Sequence, residues 1–231
     1  MSESVVQAIQ EVRQRIQAAE AAAGRPDGSV RLLAVSKTFP AAAVREAYAA
    51  GQRAFGENYV QELQGKAAEL ADLAIEWHFI GPLQSNKTRI IAETAHWVHS
   101  IERLKIAQRL SEQRPTQLPP LQVCVQVNVS GEDSKSGCAP EDARALAHAV
   151  AALPQLQLRG LMCIPEPTED ANRLAGQFAL LQRLQDELRA DGLALDTVSM
   201  GMSADMAQAI AAGSTMVRVG TAIFGARHYH S

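Results

Sequence analysis

Eight short runs of apolar and β-branched residues recur along the chain, and each is separated from the next by an amphipathic segment with helical spacing. The runs fall at 32–35, 54–57, 76–80, 97–101, 121–128, 158–164, 197–200 and 216–219. The helical patterns fall at 40–50, 59–71, 85–94, 102–112, 140–152, 170–190 and 203–212. Strands that alternate with helices pair in parallel through right-handed crossovers. Eight such units with no strand-only stretch left over predict a single α/β (β/α)8 TIM barrel. Counting alone leaves a doubly wound open sheet as the alternative. A further helical pattern leads the chain: Val5, Ile9, Val12, Ile16 and Ala19 repeat at helical spacing and end at Gly24. With no linker or low-complexity tract, residues 1–231 read as one domain.

No Gly-rich dinucleotide fingerprint follows the first strand. The formal charge is −3, with no basic block and 4% aromatic residues, so a nucleic-acid footprint is missing. Cys124, Cys138 and Cys163 show neither a CxxC pair nor metal-ligand spacing. The start of the chain lacks a signal-peptide pattern, and no stretch is long and apolar enough to span a bilayer. A cytoplasmic protein that works without membrane or nucleic acid is expected, and a monomer, since no strongly apolar extra face is visible.

A barrel places function at the C-terminal ends of its strands. There, "SMGMSAD" and "VGTAIFG" follow the seventh and eighth strands, the position where many barrels hold a phosphate on backbone N–H groups. Gly201 and Gly220 allow close approach of backbone to a ligand. Ser203 can cap a helix starting at Ala204 or donate to a phosphate oxygen, and Thr221 has a hydroxyl for the same use. Arg218 lies inside the strand "MVRVG", where a buried guanidinium needs a carboxylate such as Glu57 or a ligand acceptor.

Lys37 ends the run "LLAVSK" at the same face. An amine there, opposite a phosphate cradle, suits a Schiff base to a phosphorylated aldehyde, and pyridoxal 5′-phosphate (PLP) fits that description. Lys87 and Lys135 are rival lysines in longer loops. Asn58 closes the second strand and can bond a ring hydroxyl or cap a helix. His78, within the third strand, can pack on a ring face or fill the core. The remaining histidines (His96, His99, His148, His228, His230) show no metal spacing, and no GxSxG elbow is present.

Five stretches, "LLAVSKTFP", "GQRAFGENYVQE", "EWHFIGPLQSNK", "RGLMCIPEP" and "SMGMSADMAQAIAAGSTMVRVGTAIFGAR", resemble the pyridoxal phosphate homeostasis protein family (the YggS/PROSC group) from about residue 5 to 229. The resemblance implies a barrel of the alanine racemase N-terminal type (fold-type III), with PLP held as a Schiff base on Lys37. It implies that Asn58 of "GENYVQE" contacts the cofactor, that Met202 and Ser203 hold its phosphate with Gly220 and Thr221, and that Arg218 partners the pyridine nitrogen. His78 is counted among the expected cofactor contacts from its position alone. The implied role is to carry PLP, with apo PLP-dependent enzymes as transient acceptors, and to keep intracellular PLP and the linked amino-acid and keto-acid pools in balance.

Catalysis is not expected. Racemases of this fold class add a second domain that supplies a tyrosine base and covers the site, and closure matters for carbanion chemistry. Here Tyr48 and Tyr59 fall in helix patterns and Tyr229 is almost terminal. The alternatives are a single-domain PLP-dependent racemase, and a PLP-free barrel enzyme whose lysine binds a phosphosugar.

Overall fold

The computed structural model describes residues 4–133 and 136–225. Lys135, His228, Tyr229 and His230 lie outside the described residues. Eight strands occur at β1 (Arg31–Val35), β2 (Ala54–Glu57), β3 (Glu76–Phe79), β4 (Trp97–Ile101), β5 (Leu121–Gln126), β6 (Leu156–Met162), β7 (Thr197–Ser199) and β8 (Met216–Val219). All neighbours pair in parallel, and the sheet closes in sequence order. Closure runs through β1 and β8, with Leu33 opposite Arg218 and Ala34 opposite Val219. This ladder removes the open-sheet alternative.

The helices are α1 (Val5–Ala22), α2 (Ala41–Ala49), α3 (Val60–Glu69), α4 (Thr88–Thr94, after a 3-10 turn at Ser85–Lys87), α5 (Leu104–Gln113), α6 (Pro140–Ala151), α7 (Ala171–Ala190), α8 (Met206–Ala211) and α9 (Thr221–Phe224). Strand alternation sorts the buried residues into two apolar clusters. Residues such as Ala34, Phe55, Trp77, Val98 and Val217 pack outward against the helices. Leu33, Val35, Ala54, Ile80, Trp97, Cys124, Met162 and Met216 form a separate cluster inside the barrel.

Helix α1 has a structural task beyond its sequence signature. The segment after β8 contributes only the four-residue α9 among the described residues, which is too short to cover the β8–β1 seam. Helix α1 packs against α2, α8 and α9 and covers that seam instead. Its buried Glu20 accepts from the Val30 N–H (3.1 Å), and Arg25, just past its end, donates to the carbonyls of Ile210 and Ser214. The leading helix therefore stands where the eighth barrel helix is needed.

Two local expectations are corrected. Strand β6 starts at Leu156, two residues early, because Gln155 turns the chain with a positive φ of 62° and the ladder with β5 begins directly after it. Helix α8 starts at Met206, with Asp205 rather than Ser203 at the cap position. The Asp205 carboxylate is spent on the Met202 N–H (2.7 Å), so residues 201–205 form a loop stitched to itself. Among the described residues no helix is long and apolar enough to cross a membrane, and no three His, Cys, Asp or Glu side chains gather to hold a metal ion.

Candidate functional site

Because β7, β8, β1 and β2 are consecutive around the closed sheet, their C-terminal ends form one arc of the barrel mouth. Lys37, Asn58, Met202, Ser203, Gly220 and Thr221 all follow those four strands, and Arg218 rises within β8. Sequence positions almost two hundred residues apart meet here because β1 pairs with β8.

The backbone around Lys37 is strained and clamped. Thr38 has φ of 68°, a left-handed conformation that a β-branched residue adopts only when its surroundings impose it. What imposes it is a buried ion cluster between β2 and α3. Lys66 bonds to Glu57 (2.6 Å) and Glu62 (3.0 Å) and donates to the Ser36 carbonyl (2.8 Å). Ser36 donates its hydroxyl to Glu57 (2.6 Å), and Glu62 accepts the Thr38 N–H (2.9 Å). The residues on both sides of Lys37 are thus tied to one network, while Lys37 itself is half-buried at the mouth. Burial pushes the Glu57 carboxyl up, against the pull of Lys66 and Ser36, and its Oε2 has no hydrogen-bond partner among the described residues.

Arg218 is 3% exposed. Its guanidinium donates to Ser199 Oγ (2.7 Å) and to the Cys163 carbonyl (2.9 Å), and no carboxylate pairs with it among the described residues. Glu57, the partner suggested by sequence, faces the helices and belongs to Lys66. Burial holds the Arg218 pKa below its ordinary value. A buried cation satisfied only by neutral acceptors is the arrangement expected where a ligand supplies a further acceptor.

Asn58 does not cap α3: Tyr59 stands at the cap position, and the Asn58 Oδ1 is buried without a hydrogen-bond partner among the described residues. The Asn58 backbone is pinned by Gly81, where any Cβ would fall 2.1 Å from the Asn58 carbonyl oxygen. In the β7 loop, Gly201 has φ of 106°, and a Cβ there would meet Ala209 at 2.7 Å, so only glycine lets the loop lie this close to α8. The loop is also held from outside by Arg15 of α1, which donates to the Ser203 carbonyl (2.7 Å). The N–H groups of Ile223 and Phe224 bond back to Gly220, whereas those of Thr221 and Ala222 are first-turn groups that a helix leaves without internal acceptors. The Met202 N–H, by contrast, is committed to Asp205.

His78 takes the core position, one of the two that its place within β3 left open. It is fully buried inside the barrel, stacks on Trp97 (5.2 Å between centroids), and has both ring nitrogens engaged, by Glu76 (2.6 Å) and His99 (2.8 Å). It is separated from Arg218 by two side chains, His99 and Ser199. Sequence reasoning missed Lys66, Glu62, His99 and Ser199. A signal existed for Lys66, which sits in register with Val60 and Leu63 on the buried face of α3. The three thiols carry no reactive signature, since burial pushes Cys124 and Cys163 to about 12 and Cys138 to about 11.

Comparison with known proteins places this architecture. The family model described as alanine racemase, N-terminal domain, matches residues 8–228. The pyridoxal phosphate homeostasis protein of Pseudomonas aeruginosa is 65% identical over 226 residues, covering 98% of this chain and 97% of its own. That of Escherichia coli K12 is 53% identical over 229 residues, covering 95% of both. The structure of PipY from Synechococcus elongatus with PLP bound superposes with a TM-score of 0.85 at 40% identity, covering 96% of this chain and all of that one. Alanine racemase from Corynebacterium glutamicum shares the fold at a TM-score of 0.72 and 18% identity, and the match covers 96% of this chain but 62% of that enzyme. The chain belongs to the alanine racemase N-terminal domain family and, within it, to the pyridoxal phosphate homeostasis proteins.

Proposed function

We propose that this protein is a carrier of pyridoxal 5′-phosphate that buffers the intracellular supply of the cofactor. The observation that carries the reading is Arg218, a buried guanidinium facing only neutral protein acceptors at the mouth where Lys37 emerges. PLP fits the groups present. Its pyridine nitrogen is an acceptor for Arg218, and its ring hydroxyl is a donor for the orphaned Asn58 Oδ1. Ser203, Gly220 and Thr221 would hold the phosphate, and Met202 would join them where Asp205 releases its amide. Lys37 would hold the aldehyde carbon as a Schiff base, its amine adding to the carbonyl with loss of water. The names of the curated relatives and the PLP bound to PipY support the same ligand.

When bound, PLP supplies an electron sink for carbanion chemistry. The groups of this chain are arranged to hold it rather than to use it. A neutral pyridine facing a guanidinium is a weak sink. Tyr59 is 55% exposed, and the Tyr48 hydroxyl accepts the Ala74 N–H (3.2 Å) on the helical side, so neither stands as a base over the site. Transfer to apo-enzymes, a monomeric state and a cytoplasmic location complete the proposal. Three cysteines without disulfides fit a reducing compartment.

The test is the visible absorption band of protein incubated with PLP. The band is expected in the wild type and lost in Lys37→Ala, and PLP should pass from loaded protein to an apo-enzyme without turnover of amino acids. A band that survives Lys37→Ala, or robust racemisation of any amino acid, overturns the carrier reading.

A further inference from the structure

Five side chains cross the inside of the barrel in one unbroken file. Arg218 (β8) contacts Ser199 (β7) at 2.7 Å. Ser199 contacts His99 Nδ1 (β4) at 2.8 Å, across the lumen. His99 Nε2 contacts His78 Nδ1 (β3) at 2.8 Å, and His78 Nε2 contacts Glu76 Oε1 at 2.6 Å. Glu76, at the first position of β3, also accepts from Arg31 (2.8 Å), at the first position of β1. The file begins at the C-terminal mouth and ends at the opposite one. There Glu76, with Arg31, Trp97, Arg114, Gln122 and Arg159, lines a recess of about 280 Å3.

The proton positions along this file follow from chemistry. An ionised carboxylate only accepts, so His78 must carry its proton on Nε2. His78 Nδ1 is then an acceptor, which puts the His99 proton on Nε2. His99 Nδ1 is an acceptor in turn, so the Ser199 hydroxyl must donate to it, and the Ser199 oxygen is left to accept from Arg218. Every link agrees with the next, and one direction satisfies all of them. The charge states support this: although partial burial works against it, the bond from His78 and the pair with Arg31 hold the Glu76 carboxyl at about 2, and burial pushes His78 to about 4 and His99 well below its ordinary value. Both imidazoles are therefore neutral at pH 7, with Trp97 stacked on His78 to fix its plane.

We propose that Glu76, His78, His99 and Ser199 are positioning residues for Arg218: a directed hydrogen-bond file that lets a carboxylate at one mouth of the barrel orient and electrostatically support the guanidinium at the other. This rests on the PLP reading, since the acceptor that Arg218 is held ready for is the cofactor's ring nitrogen. Chains of aligned hydrogen bonds polarise one another in a low-dielectric interior, so the carboxylate partly offsets a buried cation it never touches. The file also explains why Arg218 folds without a carboxylate of its own.

Two measurements test it. In the unliganded protein, long-range 1H–15N spectra of the imidazoles should show His78 and His99 as neutral Nε2–H tautomers at pH 7; an Nδ1–H tautomer at either position overturns the file. In PLP-loaded protein, His78→Phe fills the ring's space but cuts the file two side chains away from Arg218. It should speed PLP release at least 5-fold and shift the pH profile of the visible band, and Ser199→Ala, which removes a direct contact to Arg218, should do the same. Glu76→Gln, which keeps the shape and an acceptor but not the charge, should give a smaller shift in the same direction and serves if His78→Phe does not fold. Release and spectra unchanged in either folded variant overturn the positioning role. A wild-type protein that takes up no PLP would sink the cofactor reading, while the tautomer spectra would still decide the file.

Discussion

Arg218 and the imidazoles beneath it share one physical problem: polar side chains buried inside a barrel must satisfy each other or a ligand. The chain solves it with neutral histidines, and that choice has a measurable consequence. The folded protein holds His78 near 4, whereas an unfolded histidine titrates near 6.5. Between those values the unfolded chain binds a proton that the folded one refuses, so stability is full above about pH 6.5 and falls as the pH drops toward 4. His78 alone contributes a loss of about 3 kcal/mol over that window, and His99 adds to it in the same direction. Glu76, held low, adds a separate loss only below about pH 4.5. Urea unfolding at pH 7 and pH 4.5 should show this difference in the wild type and a smaller one in His78→Phe; equal differences would contradict the assignment. The file was partly legible, since the alternation in "EWHF" and "WVHSI" puts Glu76 with His78 and Trp97 with His99 on the inward face. Its continuation to Ser199 was not, because that bond joins β4 to β7 across the lumen and no local pattern records it.

At the scale of elements, the α3–β2 seam does for Lys37 what the lumen does for Arg218. Lys66 is 7% exposed and, among the described residues, is the sole cation in contact with buried Glu57. Lys66→Met should cost about 3–5 kcal/mol in a denaturation series, because it strands a buried carboxylate. The double variant Lys66→Met/Glu57→Leu should recover most of that loss, since apolar groups often replace a buried pair at little cost. It should nevertheless release PLP faster than the wild type, because Ser36 loses both its tethers and Glu62, which holds the Thr38 N–H, loses its cation. Full recovery of both properties would show that the cluster serves stability alone. Helix positions themselves were largely readable from apolar spacing. What failed was the start of α8, where a Ser cap looked natural, and α9, which is four residues long and too short for any periodicity. Both lie in the loops after β7 and β8, where backbone follows Gly201 and the Asp205–Met202 bond rather than helical propensity.

For the whole molecule, barrel closure is the event that creates the site, because it sets β7 and β8 beside β1 and β2. The count of eight alternating units pointed to closure. Only the ladder from Arg31–Met216 to Ala34–Val219 establishes it, and it needs α1 to cover the seam. The proposed cofactor mouth combines strained Thr38 beside Lys37 with Asn58 Oδ1, which has no hydrogen-bond partner, and Arg218, which has no carboxylate partner, among the described residues. The central claim is therefore about which atom holds the cofactor. Borohydride reduction of the PLP-loaded protein, followed by peptide mass mapping, should place the pyridoxyl group on Lys37. A label found only on Lys87, Lys135 or another lysine, or no label at all, would contradict it.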